Sequence, residues 1–256
     1  MRLLAVPAGH VTSKMPEMDG LPPNPVMAFI IETAGETVLF DTGMHPHVRE
    51  DPVGYWGGIA RRHLVPVLPD DADVVSRLGS AGISPKDVTI VLNSHLHNDH
   101  AGMNRYFPDS RVLVRKREWD HAITVMDENS SSFVRNDFYD EQALPEFFDY
   151  DTECDLLGNG VLALVSTPGH TPGHQCLRIT FPSGAQHILS GDAVYNAGQL
   201  DTGEPPAIHW DRDRAVESVK RLAGLRSAGA TVHVCHDPGE WRGVEAIKTV
   251  YEEKES

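Results

Sequence analysis

Ser94-His95-Leu96-His97-Asn98-Asp99-His100-Ala101-Gly102 is the stretch whose reading decides the fold. Between His95 and His100 it carries four metal-capable side chains within six residues. It follows residues 88–93 (VTIVLN), which are nearly all apolar and rich in β-branched side chains, as a strand covered on both faces should be. Had the strand continued, His95, His97 and Asp99 would share one side and His100 would not. A loop leaving a strand end can instead turn all four toward one point. Imidazole and carboxylate suit a borderline cation such as Zn²⁺. A lone histidine is usually a surface residue or a satisfied core group, but that reading does not account for four such residues in an HxHxDH pattern.

Working outward, more metal-capable residues fall just past expected strands. His170 lies in residues 167–174 (TPGHTPGH), after a strand at 161–166. Asp192 lies in Ser190-Gly191-Asp192, after a strand at 187–190, and His236 follows a strand at 231–235. The order HxHxDH, His, Asp, His, over Val38 to about His236, resembles the metallo-β-lactamase superfamily. That resemblance implies an α/β fold, the αββα sandwich of two β-sheets flanked by helices, formed here as one domain over 1–256. It implies that His95, His97 and His170 hold a first ion and Asp99, His100 and His236 a second. Asp192 would bridge both ions beside a hydroxide. Two Zn²⁺ per chain are the expected cofactors, with other divalent metals possible. Asp41, in Phe40-Asp41-Thr42-Gly43, either orients a ligand histidine through its second ring nitrogen or forms an ordinary Asx turn. His174 matches a motif position that is usually not a ligand.

Within the superfamily the chain is similar to the N-acyl homoserine lactonases. Residues 94–102 (SHLHNDHAG), 167–175 (TPGHTPGHQ), 192–195 (DAVY) and 40–44 (FDTGM) carry the likeness. It implies attack of a metal-bridging hydroxide on a lactone carbonyl. Tyr195 would stabilise the oxyanion, and Asp99 would pass a proton to the leaving ring oxygen. Tyr195 could also be a core tyrosine. Asn98 departs from the aromatic or apolar residue common at its position in these lactonases, and residues 237–241 (DPGEW) fit no assignable pattern. The alternatives are another small lactone, as for pyridoxolactonase, or a thioester, as for glyoxalase II. No GxSxG elbow offers a serine nucleophile.

Composition narrows the setting. The 256 residues include 37 acidic and 22 basic ones, a formal charge of −15, so nucleic acid would be repelled. No run reaches the ~18 apolar residues of a membrane span. Cys154, Cys176 and Cys235 are too few and too scattered for a disulfide framework, and the first residues (MRLLAVPAGH) lack a signal-peptide core. A cytoplasmic enzyme acting on a small-molecule lactone, monomeric or homodimeric, is the expectation.

Further strands are read at 3–6, 26–32, 37–40, 111–115 and 176–181, with a hairpin turn at Gly35-Glu36. Helices are read at 72–79 and from an Asp211 cap through Arg226, with Val216, Val219, Leu222 and Ala223 inward. Ser84-Pro85 is read as an N-cap followed by proline. Residues 9–25 and 44–70 fit no element. They are expected to form a lid over the site, with Trp56, Met15, Met18 and Leu21 lining it, or else a subunit interface.

Overall fold

Period-two alternation along the strands sets the layers. The computed structural model describes residues 1–14, 22–127 and 131–253. In strands β1 (Arg2–Ser13), β2 (Asn24–Glu32) and β3 (Thr37–Phe40), Leu3, Ala5, Met27, Phe29, Ile31, Val38 and Phe40 face one way. Leu4, Val6, Ala8, Val26, Ala28, Ile30 and Leu39 face the other. All are buried, so this sheet has an apolar layer on each side. β3 is followed by β4 (Leu64–Val67), β5 (Ile90–Leu92), β6 (Arg111–Arg115) and β7 (Glu146–Phe148). With β13 (Lys248–Glu252) the order is β13-β1-β2-β3-β5-β6-β7, and β4 pairs with the far end of β1. β3, β5, β6 and β7 run parallel.

A second sheet contains β8 (Glu153–Asp155), β9 (Leu162–Ser166), β10 (Gln175–Thr180), β11 (Gln186–Leu189) and β12 (Thr231–His233), in the order β12-β11-β10-β9-β8. Its inward residues Leu162, Leu164, Leu177, Ile179 and Leu189 pack on the Leu3–Phe29–Leu92 side of the first sheet. Fully burying each such side chain contributes roughly 1.5–3 kcal/mol, and this shared layer locks the two sheets face to face.

Helices cover the outer faces. α1 (Pro52–Trp56), α2 (Gly58–Arg62) and α3 (Val74–Ser80) lie over the first sheet through Trp56, Ala60, Val74 and Leu78. α4 (Lys116–Val125) and α5 (Arg135–Phe138) pack through Trp119, Ala122 and Phe138 against Leu96 and Val114. α6 (Gln199–Thr202) and α7 (Arg212–Ser227) cover the second sheet, where Leu200, Val219 and Leu222 meet Val165, Cys176 and Ile188. The result is the expected αββα arrangement. No helix among the described residues is long and apolar enough to cross a membrane.

The expected strands and helices exist, with ends displaced by one to several residues. Asp211 caps α7 by accepting from Arg214 N, and Ser84 caps a 3₁₀ turn with Asp87 in a capping box. The inward face of α7 is centred on Ala215, Ser218, Val219 and Leu222, so Val216 and Ala223 sit on its flanks.

Residues 9–25 and 44–70 are corrected. β1 runs on to Ser13 and β2 begins at Asn24, so much of the first segment is strand; Met15, Met18 and Leu21 lie outside the described residues. The second holds a 3₁₀ turn at Pro46–Arg49, then α1, α2 and β4. Elements of four or five residues are too short to show a hydrophobic period. Trp56 is only 2% exposed and belongs to the core, not to a lid.

Candidate metal centre

The HxHxDH loop leaves β5 with one apolar anchor. Leu96 is fully buried against Trp119 and Phe133. That commits the loop to turning His95 and His97 the other way. His170 arrives from the loop after β9, Asp192 from the turn after β11, and His236 from the turn after β12. Gly191 makes the Asp192 turn possible: its φ is +50°, and a Cβ there would stand 2.8 Å from both His174 Nε2 and Ser94 Cβ. His174 Nε2 in turn accepts the Asp192 amide at 2.9 Å, and its Nδ1 meets Thr167 Oγ1 at 2.8 Å. His174 therefore anchors the turn and offers no free nitrogen. Burial pushes its imidazole down to about 3, consistent with a neutral ring.

All seven residues expected to bind metal are brought together. Their donor atoms form three groups, each within 4.8 Å: His95, His97 and His170; His95, His100 and Asp192; and Asp99, His100 and His236. His97 Nδ1 lies 2.9 Å from His170 Nε2, and His100 Nε2 lies 3.2 Å from His236 Nε2. Asp192 sits between the sets: its Oδ2 is 3.3 Å from His170 Nε2, and its Oδ1 is 3.0 Å from both His100 Nε2 and His236 Nε2.

The outer ring nitrogens of His95, His100, His170 and His236 are held. Asp41 Oδ2 accepts from His100 Nδ1 at 2.8 Å. Ile208 O accepts from His170 Nδ1 at 2.9 Å, and Pro25 O from His236 Nδ1 at 2.6 Å. Ser94 Oγ, itself donating to Asp41 Oδ2, accepts from His95 Nδ1 at 2.9 Å. With a proton on Nδ1, the Nε2 of each of these rings faces inward. Asp41 adopts a left-handed backbone (φ 61°), and its carboxylate also accepts the Ser94 amide. Of its two readings, the orienting one matches this geometry.

The donor set fits a divalent cation. A tetrahedral ion with bonds of about 2.0–2.1 Å to nitrogen spaces its ligand atoms roughly 3.3 Å apart. The contacts above cluster around that spacing. His95 Nε2 and Asp192 Oδ1 are buried without an aligned hydrogen bond, although two imidazole nitrogens stand 3.0 Å from Oδ1. Atoms that touch without bonding to one another are aimed at a common point between them. Burial, with His100 and His97 nearby, holds His95 well below the ordinary imidazole range. Burial, His170 and His100 do the same to His97. Burial also works against the Asp192 carboxylate, but His100, His236 and His170 outweigh it and hold the group well below its usual range. Neutral His95 and His97 beside an ionised Asp192 are in the protonation state that metal binding requires, whereas His100 and His236, raised by the Asp192 and Asp99 carboxylates, would shed a proton on binding. The cluster is a divalent-metal site.

A narrow cleft opens onto it, walled by Val11, Leu64, Asn98, Ser132, Tyr195 and Ile208. The Tyr195 ring lies edge-on to His170 and His236, with centroids at 6.0 and 5.6 Å, and its hydroxyl is 3.5 Å from His170 Nδ1. Tyr195 is thus a half-buried wall of the cleft rather than a core residue.

Sequence reading missed three holders: Pro25, Ile208 and Ser94. Two of them act through backbone carbonyls, which every residue carries and no side chain announces.

The chain belongs to the metallo-beta-lactamase superfamily, whose family model matches residues 21–228, and its metal site is that of a metal-dependent hydrolase. Within the superfamily it is 34% identical over 234 residues to the N-acyl homoserine lactonase AttM of Agrobacterium fabrum, covering 89% of this chain and 87% of that protein. It is 33% identical over 232 residues to the AttM of Azorhizobium caulinodans, covering 89% and 88%. Among solved structures it is similar to an N-acyl homoserine lactone hydrolase with the product N-hexanoyl-L-homoserine at its catalytic metal centre. That TM-score is 0.81 at 23% identity, covering 96% of each chain. It also resembles AidC, a dizinc quorum-quenching lactonase, with a TM-score of 0.63 at 20% identity, covering 92% of this chain and 82% of AidC.

Proposed function

We propose that this chain, as one domain over 1–256, is a dizinc hydrolase that opens the lactone ring of N-acyl homoserine lactones. The observation that carries the reading is two ligand groups meeting at Asp192, on the floor of a cleft whose wall includes Tyr195. Relatives named as N-acyl homoserine lactonases, matched over nearly nine-tenths of the chain, support the substrate class. His95, His97 and His170 would hold one ion, Asp99, His100 and His236 the other, and Asp192 both. When bound, the ions supply Lewis acidity and lower the pKa of water toward neutrality.

The chain's own residues do the rest. Burial and the neighbouring Asp192 and Asp99 carboxylates push the Tyr195 phenol well above its ordinary range, so it stays protonated. It can donate a hydrogen bond to the lactone carbonyl oxygen as charge gathers there. Asp99, on the cleft floor, takes the proton released by the attacking water and passes it to the departing ring oxygen. Val11, Leu64 and Ile208 give the cleft an apolar rim for the acyl chain, while Asn98 and Ser132 face the polar amide.

A pH-stat panel on metal-replete protein tests this reading. Proton release is expected with N-acyl homoserine lactones and not with thioesters, phosphodiesters or β-lactams. Turnover of a thioester alone would overturn it. Tyr195→Phe keeps the ring and removes the donor. Turnover of the lactone should fall by about 10²-fold, with metal content unchanged. Unaltered kinetics would leave Tyr195 as a wall of the cleft and nothing more.

A further inference from the structure

We infer that Glu118 is a positioning residue that sets the geometry of the His95–His97–His170 group and leaves the Asp99–His100–His236 group alone. This rests on the two-ion reading above. Glu118 stands in the first turn of α4 and is 1% exposed. Its Oε1 accepts the Leu96 amide at 3.1 Å. Its Oε2 accepts the Thr171 hydroxyl at 2.7 Å and the Gly173 amide at 3.0 Å. Leu96 sits between His95 and His97, and Thr171 directly follows His170. One carboxylate therefore grips, from behind, the two loops that deliver all three imidazoles of the first group. The other group is held elsewhere: His100 by Asp41 and His236 by the Pro25 carbonyl.

The packing is built for this grip. A Cβ on Gly173 would stand 2.4 Å from the Glu118 amide, so only glycine lets the loop lie against the start of α4. Arg115, one residue before the helix and 1% exposed, donates to Ser166 Oγ at 2.9 Å and to the His174 carbonyl, steadying the same loop. Glu118 is not spent on its own helix. Both of its oxygens turn to the two loops. Burial pushes the carboxyl up to about 7, against three hydrogen-bond donors and Arg115 that favour the charged form. Burying a carboxylate at that cost, with both oxygens satisfied by loops rather than by solvent, is the signature of a group kept for what it holds.

Glu118→Gln preserves the shape but not the pattern. An amide can accept at one end only, so its NH₂ would face either Leu96 N–H or the Thr171 and Gly173 donors. Metal-free protein titrated with Co²⁺ against a competing chromophoric chelator should show two binding events in the wild type. In Glu118→Gln one event, the one lost in His170→Ala, should weaken by roughly 10–100-fold, as for other groups that orient ligands, while the other stays put. The Co²⁺ absorption of the weakened site should shift as well. Thr171→Val, which removes a single donor, should weaken the same event by less, and it carries the test if Glu118→Gln does not fold. Equal weakening of both events, or no change in either, would overturn the inference. A single event in the wild type would overturn the two-ion reading and this inference with it.

Discussion

Asp192→Ala should strip both ions and cost at least ~10³ in lactone turnover. The carboxylate reaches imidazoles from both sets: His170 at 3.3 Å on one side, His100 and His236 at 3.0 Å on the other. On the proposed two-ion reading, removing it would take a ligand from each ion and a negative charge from a buried cluster of imidazoles. Metal polarisation of a carbonyl contributes several kcal/mol, and each 1.36 kcal/mol is tenfold in rate, which sets the magnitude. The loss should also be felt by His100. Burial works against its charged form, but Asp192, Asp99 and Asp41 outweigh burial and hold it well above the ordinary range. Without Asp192 part of that support goes. Elemental analysis after repletion is the measurement. Two tightly held ions in Asp192→Ala would show that the carboxylate does not join the sites.

His170→Ala and His236→Ala should each leave about one ion per chain, and a different one. His170 belongs with His95 and His97, and His236 with Asp99 and His100. Of the candidate ligands, Asp192 reaches both His170 and His236, while the two imidazoles fall in separate groups, so loss of either should open one group and spare the other. Each variant should lose roughly two to three orders of magnitude of turnover, the scale expected when one of two cooperating cations is gone. Cobalt spectra of the two variants should be complementary, together summing to the wild-type spectrum. Identical residual spectra, or loss of both ions in either variant, would argue for a single shared site.

Much of this architecture could be read from the chain itself. The HxHxDH run is local: four donors within six residues after a buried strand require no knowledge of the rest of the fold. His170, Asp192 and His236 were legible because each follows an apolar run that ends at a turn. β2 and β5 were legible because nearly every residue in them is buried on one face or the other. α1, α2 and β4 were not, because four or five residues cannot complete a period, and α4 was missed because its apolar face is short and interrupted by charges. Residues 44–70 suggested a lid, and Trp56 invited that reading. Only burial separates an aromatic that covers a substrate from one that fills a core, and burial depends on what arrives from elsewhere.

By itself, the sequence determined the seven candidate ligands, the order in which they follow strands, and, from two groups of strands with helices interleaved, a layered sandwich. Tertiary structure decided which nitrogen of each ring faces the centre. That choice rests on Asp41 for His100, the Ile208 carbonyl for His170 and the Pro25 carbonyl for His236, partners 59, 38 and 211 residues away. It also placed Glu118 behind two loops at once. The physical reason is that a ligand's identity is a property of its side chain, whereas its tautomer and aim are properties of the hydrogen bond made by its other end. That bond is supplied by whatever group the packed sheets bring there.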